Sequence, residues 1–299
     1  MASLTGLARL LLRRVLPRAA VHRVQWALAH RRARSVYARA AARGSRPHDL
    51  PAPLYVSLTS HPARFEMLGP TLDSLLRQTV RPDGILLWIA SGDMSLLPRQ
   101  VAALAEKGIT IRECDDVRSY KKLVFALPEH GDDYVVTADD DLFYEPGWLE
   151  SLVAGVEGSQ KIIVCRRAHR IRTTEDGSFA PYRTWQWEVA DALARQPSVD
   201  LVATGCGGIL YPPHSLHPDV TRRDLFEKLC PNADDLWFYW MARRAGSRYK
   251  VVGDDFTQLP WPDADASSLW QLNRDGENDR QIANLLAAFG NPLSYSVRS

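Results

Sequence analysis

Residues Tyr134-Val-Val-Thr137 form an apolar run that stops at three adjacent carboxylates, Asp139, Asp140 and Asp141. A run this short and this hydrophobic reads as a strand buried on both faces of a parallel sheet. Pro146 follows where a helix would begin. A strand of this kind needs helices on both sides, which restricts the chain to an α/β arrangement. In open α/β sheets, ligands bind beyond the carboxyl ends of the strands, where these acids stand. Three neighbouring carboxylates repel one another unless a cation or basic groups compensate them. Alternate carboxylates are hard oxygen ligands of the type that hold Mg²⁺ or Mn²⁺ against substrate phosphates. A solvated acidic turn capping the next helix is the competing reading.

The alternation of strand and helix begins at Leu54. Leu54–Leu58, Gly84–Ala90 and Ile109–Arg112 read as strands. Helices are expected over Phe65–Gln78, with Leu68, Leu72, Leu75 and Leu76 inward, over Leu96–Lys107 and over Tyr120–Leu127. This succession predicts a mostly parallel sheet flanked by helices, with right-handed crossovers. Beyond residue 160 the rhythm loosens. Lys161–Cys165 looks like another strand, and Arg166–Trp187 is polar, aromatic and turn-rich, as a substrate-facing insertion would be. Gly205–Tyr211 joins a glycine-rich turn to a short strand, a helix is expected over Ala233–Ala245, and Tyr249–Val252 closes the pattern. The expected division is an extension over 1–48, a nucleotide-type half over 49–160 and a less regular half over 161–299 of the same domain.

Charge is distributed unevenly. Residues 1–48 hold eleven Arg, no Lys and no acid, leaving 26 of the 37 basic residues against all 35 acidic ones, a net charge of −9 for the remainder. An acidic body argues against nucleic acid as its main ligand. In the extension, Leu4, Leu7, Leu11 and Val15 share one helical face with Arg9, Arg13 and Arg14 around it. Pro17 ends this segment, and a second helical one runs from about Val21 to Ala41. No apolar stretch approaches the roughly 20 residues that span a bilayer. Residues 1–45 therefore suit the surface of an anionic membrane. A disordered basic tail and an organellar transit peptide stay open as alternatives. Cys114, Cys165, Cys206 and Cys230 stand far apart, with neither a metal spacing nor a disulfide framework, which favours a reducing compartment.

Several clusters are candidates for binding or chemistry. Ser57, Thr59 and Arg64 leave the first strand toward the ligand edge, where hydroxyls and a guanidinium fork suit a ribose or diphosphate; helix capping by Thr59 or Ser60 is the alternative. Asp93 ends the turn after the second strand and is placed to accept from a base or ribose. Lys121 and Lys122 follow Asp115 and Asp116 at the third strand's exit, where a lysine meets either a phosphate or solvent. Asp234 and Asp235 open the Ala233–Ala245 helix, as capping acids or as candidates for a general base. His169 lies among Arg166, Arg167 and Arg170 in a candidate anion-binding patch. There is no Gly-x-x-x-x-Gly-Lys phosphate loop and no Gly-x-Ser-x-Gly elbow.

Four of these pieces together resemble a GT-A-fold glycosyltransferase of the family 2 group, most like bacterial enzymes that build surface polysaccharides. They are Tyr55–Arg64, Thr71–Thr79 with its Leu-Leu-Arg-Gln-Thr ending, Ala138-Asp-Asp-Asp-Leu142, and Ala233-Asp-Asp-Leu-Trp237. The resemblance covers about residues 52–285. It implies a divalent metal, Mn²⁺ or Mg²⁺, held by Asp139 and Asp141 on a nucleotide-sugar diphosphate. It further implies that Asp139 or Asp140 touches the ribose or sugar, that Asp93 touches the base, and that an acid at Asp234 or Asp235 deprotonates the acceptor hydroxyl. Residues 161–299 would then be the acceptor half. The expected activity is transfer of one sugar to a glycan or lipid-linked acceptor, inverting rather than retaining, in a cytoplasmic enzyme at the inner face of the plasma membrane. Two departures stand out: Ala90-Ser-Gly-Asp93 replaces the usual Asp-Asp-Gly-Ser, and the Gln-x-x-Arg-Trp motif of processive members is missing. A nucleotidyltransferase is the nearest rival, although Ser57–Arg64 lacks the glycines of such enzymes. A non-catalytic nucleotide- or glycan-binding relative is the other, and the intact Asp-x-Asp weighs against it.

Overall fold

A computed structural model describes residues 18–40, 44–158, 161–253, 259–262 and 276–295. The strands are β1 (Leu54–Ser60), β2 (Gly84–Ala90), β3 (Ile109–Cys114), β4 (Tyr134–Thr137), β5 (Ile162–Cys165), β6 (Ala168–Arg170), β7 (Leu201–Ala203), β8 (Ile209–Tyr211) and β9 (Arg248–Val251). Seven of them make one sheet in the order β3-β2-β1-β4-β8-β5-β9. Pairs β1–β2, β1–β4, β2–β3 and β5–β9 are parallel. Strand β8 alone runs antiparallel, between β4 and β5. The longer helices are α1 (Arg18–Ala40), α2 (Phe65–Leu76), α3 (Trp148–Val153), α4 (Arg223–Leu229), α5 (Asp234–Arg244) and α6 (Asn278–Phe289).

Alternate residues along a strand point to opposite faces, and here each face has its own core. Leu54, Val56 and Leu58 of β1, Ile85, Leu87 and Ile89 of β2, and Tyr134 and Val136 of β4 pack with Leu68, Leu72 and Leu75 of α2. The residues between them, Leu86, Trp88 and Val135, join Trp237, Phe238 and Trp240 of α5 on the other side. Burial on both faces is why these strands read as unbroken hydrophobic runs.

The chain order turns back between β1 and β4, since β2 and β3 lie on one side of β1 and the later strands on the other. That reversal opens the crevice in which doubly wound sheets take their ligands. Strand β8 adds to it. Because β8 is antiparallel, its first residue, Ile209, pairs with Thr137 and Cys165, the last residues of β4 and β5. The glycine turn before β8 therefore reaches the same rim as the acids after β4.

Some expected elements differ. The helix expected over Leu96–Lys107 is a single α-turn, Arg99–Ala102, tightening into a 3₁₀ turn over Ala103–Lys107 that ends at Gly108 with φ +101°. The one expected over Tyr120–Leu127 is reduced to Lys121–Val124, after a 3₁₀ turn at Arg118–Tyr120. The glycine turn and short strand expected over Gly205–Tyr211 are present, as a 3₁₀ turn over Gly205–Gly207 followed by β8. The insertion after β5 holds a small two-stranded sheet, β6 with β7. Three-residue strands are too short to show a periodicity.

The expected second helix of the extension is α1, and one of its faces is docked on the body. Trp26 stacks on Trp261, with centroids 5.7 Å apart and planes at 8°. Ala33 is buried, and Tyr37 meets Phe143 edge-on at 5.4 Å. Arg77 lies over the Tyr37 ring at 5.0 Å. The opposite face exposes Arg23, Arg31, Arg32 and Arg34, with Val24 and Leu28 among them. Among the described residues no helix is long and apolar enough to cross a membrane. The earlier amphipathic segment, Leu4 to Val15, lies outside the described residues.

Candidate active site

The acids after β4 are held from three sides. The Asp139 N–H donates to Tyr144 Oη at 2.7 Å, and Tyr144 is itself fixed by its N–H on Ser74 Oγ at 3.1 Å. Thr71 Oγ1 donates to the Asp140 carbonyl at 2.9 Å. The Trp261 N–H donates to the Asp141 carbonyl at 2.9 Å. Among the side chains, Arg64 Nη1 reaches Asp140 Oδ1 at 2.9 Å and Asp141 Oδ2 at 3.2 Å. Asp140 is buried, and its Oδ2 has no hydrogen-bond partner. Burial, and then the charge of Asp139, push the Asp141 carboxyl up to about 7 despite Arg64. An orphaned carboxylate oxygen and a carboxyl that resists ionisation both signal surplus negative charge, the condition a divalent cation relieves. Among the described residues no group of three or more His, Cys, Asp or Glu is arranged to hold a metal by itself. Two carboxylates completed by phosphate oxygens are, however, an ordinary Mg²⁺ or Mn²⁺ arrangement, and Asp139 and Asp141 are the alternate carboxylates of this rim.

Across the crevice, α5 begins at Asp234, so Asp234 and Asp235 occupy its first turn. Lys122 joins the two sides: its Nζ lies 3.2 Å from Asp139 Oδ1 and 3.3 Å from Asp234 Oδ2. Burial alone would lower the Lys122 pKa, but Asp139, Asp234 and Asp235 outweigh it and hold the ammonium well above its usual range. Asp235 accepts the Gly205 N–H at 3.1 Å on Oδ1 and 3.3 Å on Oδ2. Its carboxyl is pushed up to about 7, by burial first and then by Asp234, with Lys122 opposing. A side chain at Gly205 would put its Cβ 2.7 Å from Lys122 Nζ and 3.4 Å from Asp235 Oδ1. Glycine there keeps the space between the two acid groups open.

Arg64, Asp139, Asp140, Asp141, Asp234 and Asp235 are thus brought to one rim by the ends of β1 and β4 and the start of α5. Ser57 is buried and Thr59 half-buried, and both hydroxyls are engaged by backbone carbonyls. Ser57 Oγ donates to the Lys122 carbonyl at 2.5 Å and accepts Trp88 Nε1 at 3.0 Å, while Thr59 Oγ1 donates to the Trp88 carbonyl at 2.8 Å. Ser57 thereby fixes the backbone that carries Lys122. Asp93 stands partly exposed in the 3₁₀ turn after β2. Lys121 is buried against Asp116 at 2.8 Å. His169 does not join an anion patch: burial lowers it to about 4, its Nδ1 accepts the Glu188 N–H, and Arg167 and Arg170 are paired with Glu188 and Asp191. All four cysteines are free. Sequence reasoning weighed Lys122 only as a phosphate contact or a solvated charge, not as the bridge between two acid groups, and passed over Gly205. Lys122 sat inside an apparent charge run, and Gly205 was one glycine of a turn whose direction only the antiparallel β8 explains.

No curated protein matches the chain. Among solved structures, similar folds occur in the mannosyltransferase PcManGT of Pyrobaculum calidifontis, in complex with GDP-Man and Mn²⁺ (14% identity, 90% of this chain and 75% of that one, TM-score 0.49). A 4-diphosphocytidyl-2C-methyl-D-erythritol synthase of Anaerococcus prevotii matches at 13% identity over 75% of this chain and 97% of its own, with TM-score 0.44. The inositol-1-phosphate CTP transferase of T. maritima matches at 13% over 78% and 98%, with TM-score 0.41. The family model described as glycosyl transferase family 2 matches residues 62–211, from just after β1 to the end of β8. That stretch is half the chain and includes β2, β3, β4, β5 and β8 of the mostly parallel GT-A sheet and all three acids of the β4 rim: the chain belongs to glycosyl transferase family 2.

Proposed function

We propose that the protein is a metal-dependent, inverting glycosyltransferase that moves one sugar from a nucleotide-sugar donor to a hydroxyl of a glycan or lipid-linked acceptor. The observation that carries this reading is the pair of acid groups facing each other across Lys122, one fit for a donor diphosphate and one for an acceptor hydroxyl. Asp139 and Asp141 would hold a divalent metal, which when bound supplies charge neutralisation to the departing diphosphate. Arg64, now between Asp140 and Asp141, is a further cation at the diphosphate end. On the other side Asp235 accepts the acceptor's proton, so that its oxygen bonds to the sugar C1 as the C1–O bond to the diphosphate breaks. Asp235 suits that role better than Asp234, whose Oδ2 lies against the Lys122 ammonium.

A base with its carboxyl near 7 has a pH signature. It must be ionised to take a proton, so kcat/KM should rise as pH climbs through about 7. Asp235→Asn should lower transfer throughout and flatten that rise; a variant that keeps the wild-type profile would remove Asp235 from the role. The donor reading is tested by thermal shift of the purified chain with UDP-, GDP- and TDP-sugars, with and without Mn²⁺. A rise confined to one nucleotide and dependent on metal supports it, and no rise with any donor overturns it.

The basic extension supports attachment of this enzyme to an anionic membrane face on the cytoplasmic side. The outward side of α1 offers four arginines and two exposed aliphatic residues with no acid between them. Full-length protein should float with vesicles rich in phosphatidylglycerol and not with pure phosphatidylcholine, and a salt concentration on the order of 0.5 M should release it. Equal recovery with both vesicle types would refute an electrostatic attachment.

A further inference from the structure

The insertion between β5 and β8 presents Trp187 as one of the few large exposed hydrophobic side chains among the described residues, at 37% exposure. Its placement is built rather than incidental. The indole packs on His169 with centroids 4.6 Å apart and meets Tyr182 edge-on at 5.6 Å. His169 is buried and accepts the Glu188 N–H, which fixes the backbone just after the indole. Glu188 itself stands in the left-handed region at φ +53°, a conformation a non-glycine residue adopts only when its surroundings impose it. Here Arg167 Nη2 holds the Glu188 carboxylate at 2.6 Å.

Arg167 also ties this corner to the reacting end of the crevice. Its Nη1 donates to Thr204 Oγ1 at 2.8 Å and to Cys206 Sγ at 3.3 Å. Between those two residues is Gly205, whose N–H is held by Asp235. Trp187 is therefore linked to Asp235 through its neighbour Glu188, the Arg167 side chain and one turn of backbone. An aromatic face beside a paired guanidinium and carboxylate suits the ring of a sugar, which offers C–H groups on one face and hydroxyls around its edge.

We propose that Trp187 is an acceptor subsite that stacks a pyranose ring of an oligosaccharide, one or two residues away from the hydroxyl that Asp235 serves. This deepens the proposed function and rests on it, and it commits the acceptor to a glycan of at least two sugars. The probe is an array of neutral and acidic di- to tetrasaccharides, applied to the full chain with Mn²⁺ and the nucleotide that gives the largest donor thermal shift. The wild type should retain at least one of them, Trp187→Ala should weaken that binding at least about tenfold, and Trp187→Phe should stay within about threefold. The donor thermal shift, read on the same preparations, should be unchanged in both variants. Glycan binding by Trp187→Ala equal to wild type, or no glycan retained by a wild type that still shifts with donor, overturns the subsite and leaves the glycosyltransferase reading standing. Loss of the donor shift in the wild type would remove that reading instead.

Discussion

Asp141→Ala should lose metal-dependent donor binding and yet melt no lower than the wild type at pH 8. The two halves of this result have one cause. The Asp141 carboxyl is raised to about 7 by burial and by Asp139, so at pH 8 its ionised form is held against an unfavourable surrounding. A carboxyl whose folded pKa exceeds its unfolded value stabilises the fold below the unfolded pKa and loses that contribution as pH rises through about 7. Removing it at pH 8 therefore relieves repulsion, and Arg64 keeps Asp140 as its partner. The unfavourable charge is tolerable if a cation is its partner during turnover. With that partner gone, the developing negative charge of the diphosphate loses several kcal/mol of stabilisation. At about 1.4 kcal/mol per factor of ten, transfer should fall on the order of a thousandfold. Thermal shift with and without Mn²⁺ and donor, alongside a transfer assay, measures both halves. An Asp141→Ala enzyme that still transfers at wild-type rate would end the metal assignment.

Lys122→Met should have the opposite profile, a large loss of stability before any question of activity arises. The ammonium is buried among Asp139, Asp234 and Asp235. Removing one partner of a buried charge group leaves the others uncompensated, which costs about 3–5 kcal/mol. For a chain of this size that corresponds to a fall in Tm on the order of 10 °C. Asp235, already raised to about 7 with Lys122 opposing, takes up a proton as pH is lowered, so the loss should shrink. The measurement is a melting series of both proteins between pH 5 and 8. A Tm indistinguishable from wild type at pH 8 would show that the three acids do not depend on Lys122.

How much of this was readable in advance differs between the two halves of the chain. The strands β1, β2 and β4 declared themselves because each feeds two cores, so nearly every residue had to be apolar. Asp139 to Asp141 were conspicuous because nothing in such a run predicts three acids except a rim. Arg64 could be placed near them by the βα rhythm alone. Lys122 could not, since its significance depends on a buried position between residues 17 and 112 places further on. Ser57 illustrates the converse. A hydroxyl at a strand's ligand end looks like a binding group, but its hydrogen bonds go to the Lys122 carbonyl and the Trp88 indole. Gly205 escaped notice because a glycine's reason is the atom it leaves room for, and that atom belongs to another element. The docking of α1 was equally hidden, for its partner Trp261 is more than 200 residues away.

The reversed direction of β8 has a consequence for how such a protein can diverge. Strand β5 ends at Cys165 and β8 begins opposite it at Ile209, so the segment between them leaves the sheet and returns to it at the same rim. Its two ends stay in register however long or short the intervening chain becomes. The exposed surface of that segment, proposed above to meet the acceptor, can therefore be rewritten while its core residues, such as Trp185 and Leu201, and the strand that carries the rim acids keep their places. Under the proposed function, selectivity for one partner of the reaction is in this way detachable from the chemistry done on the other.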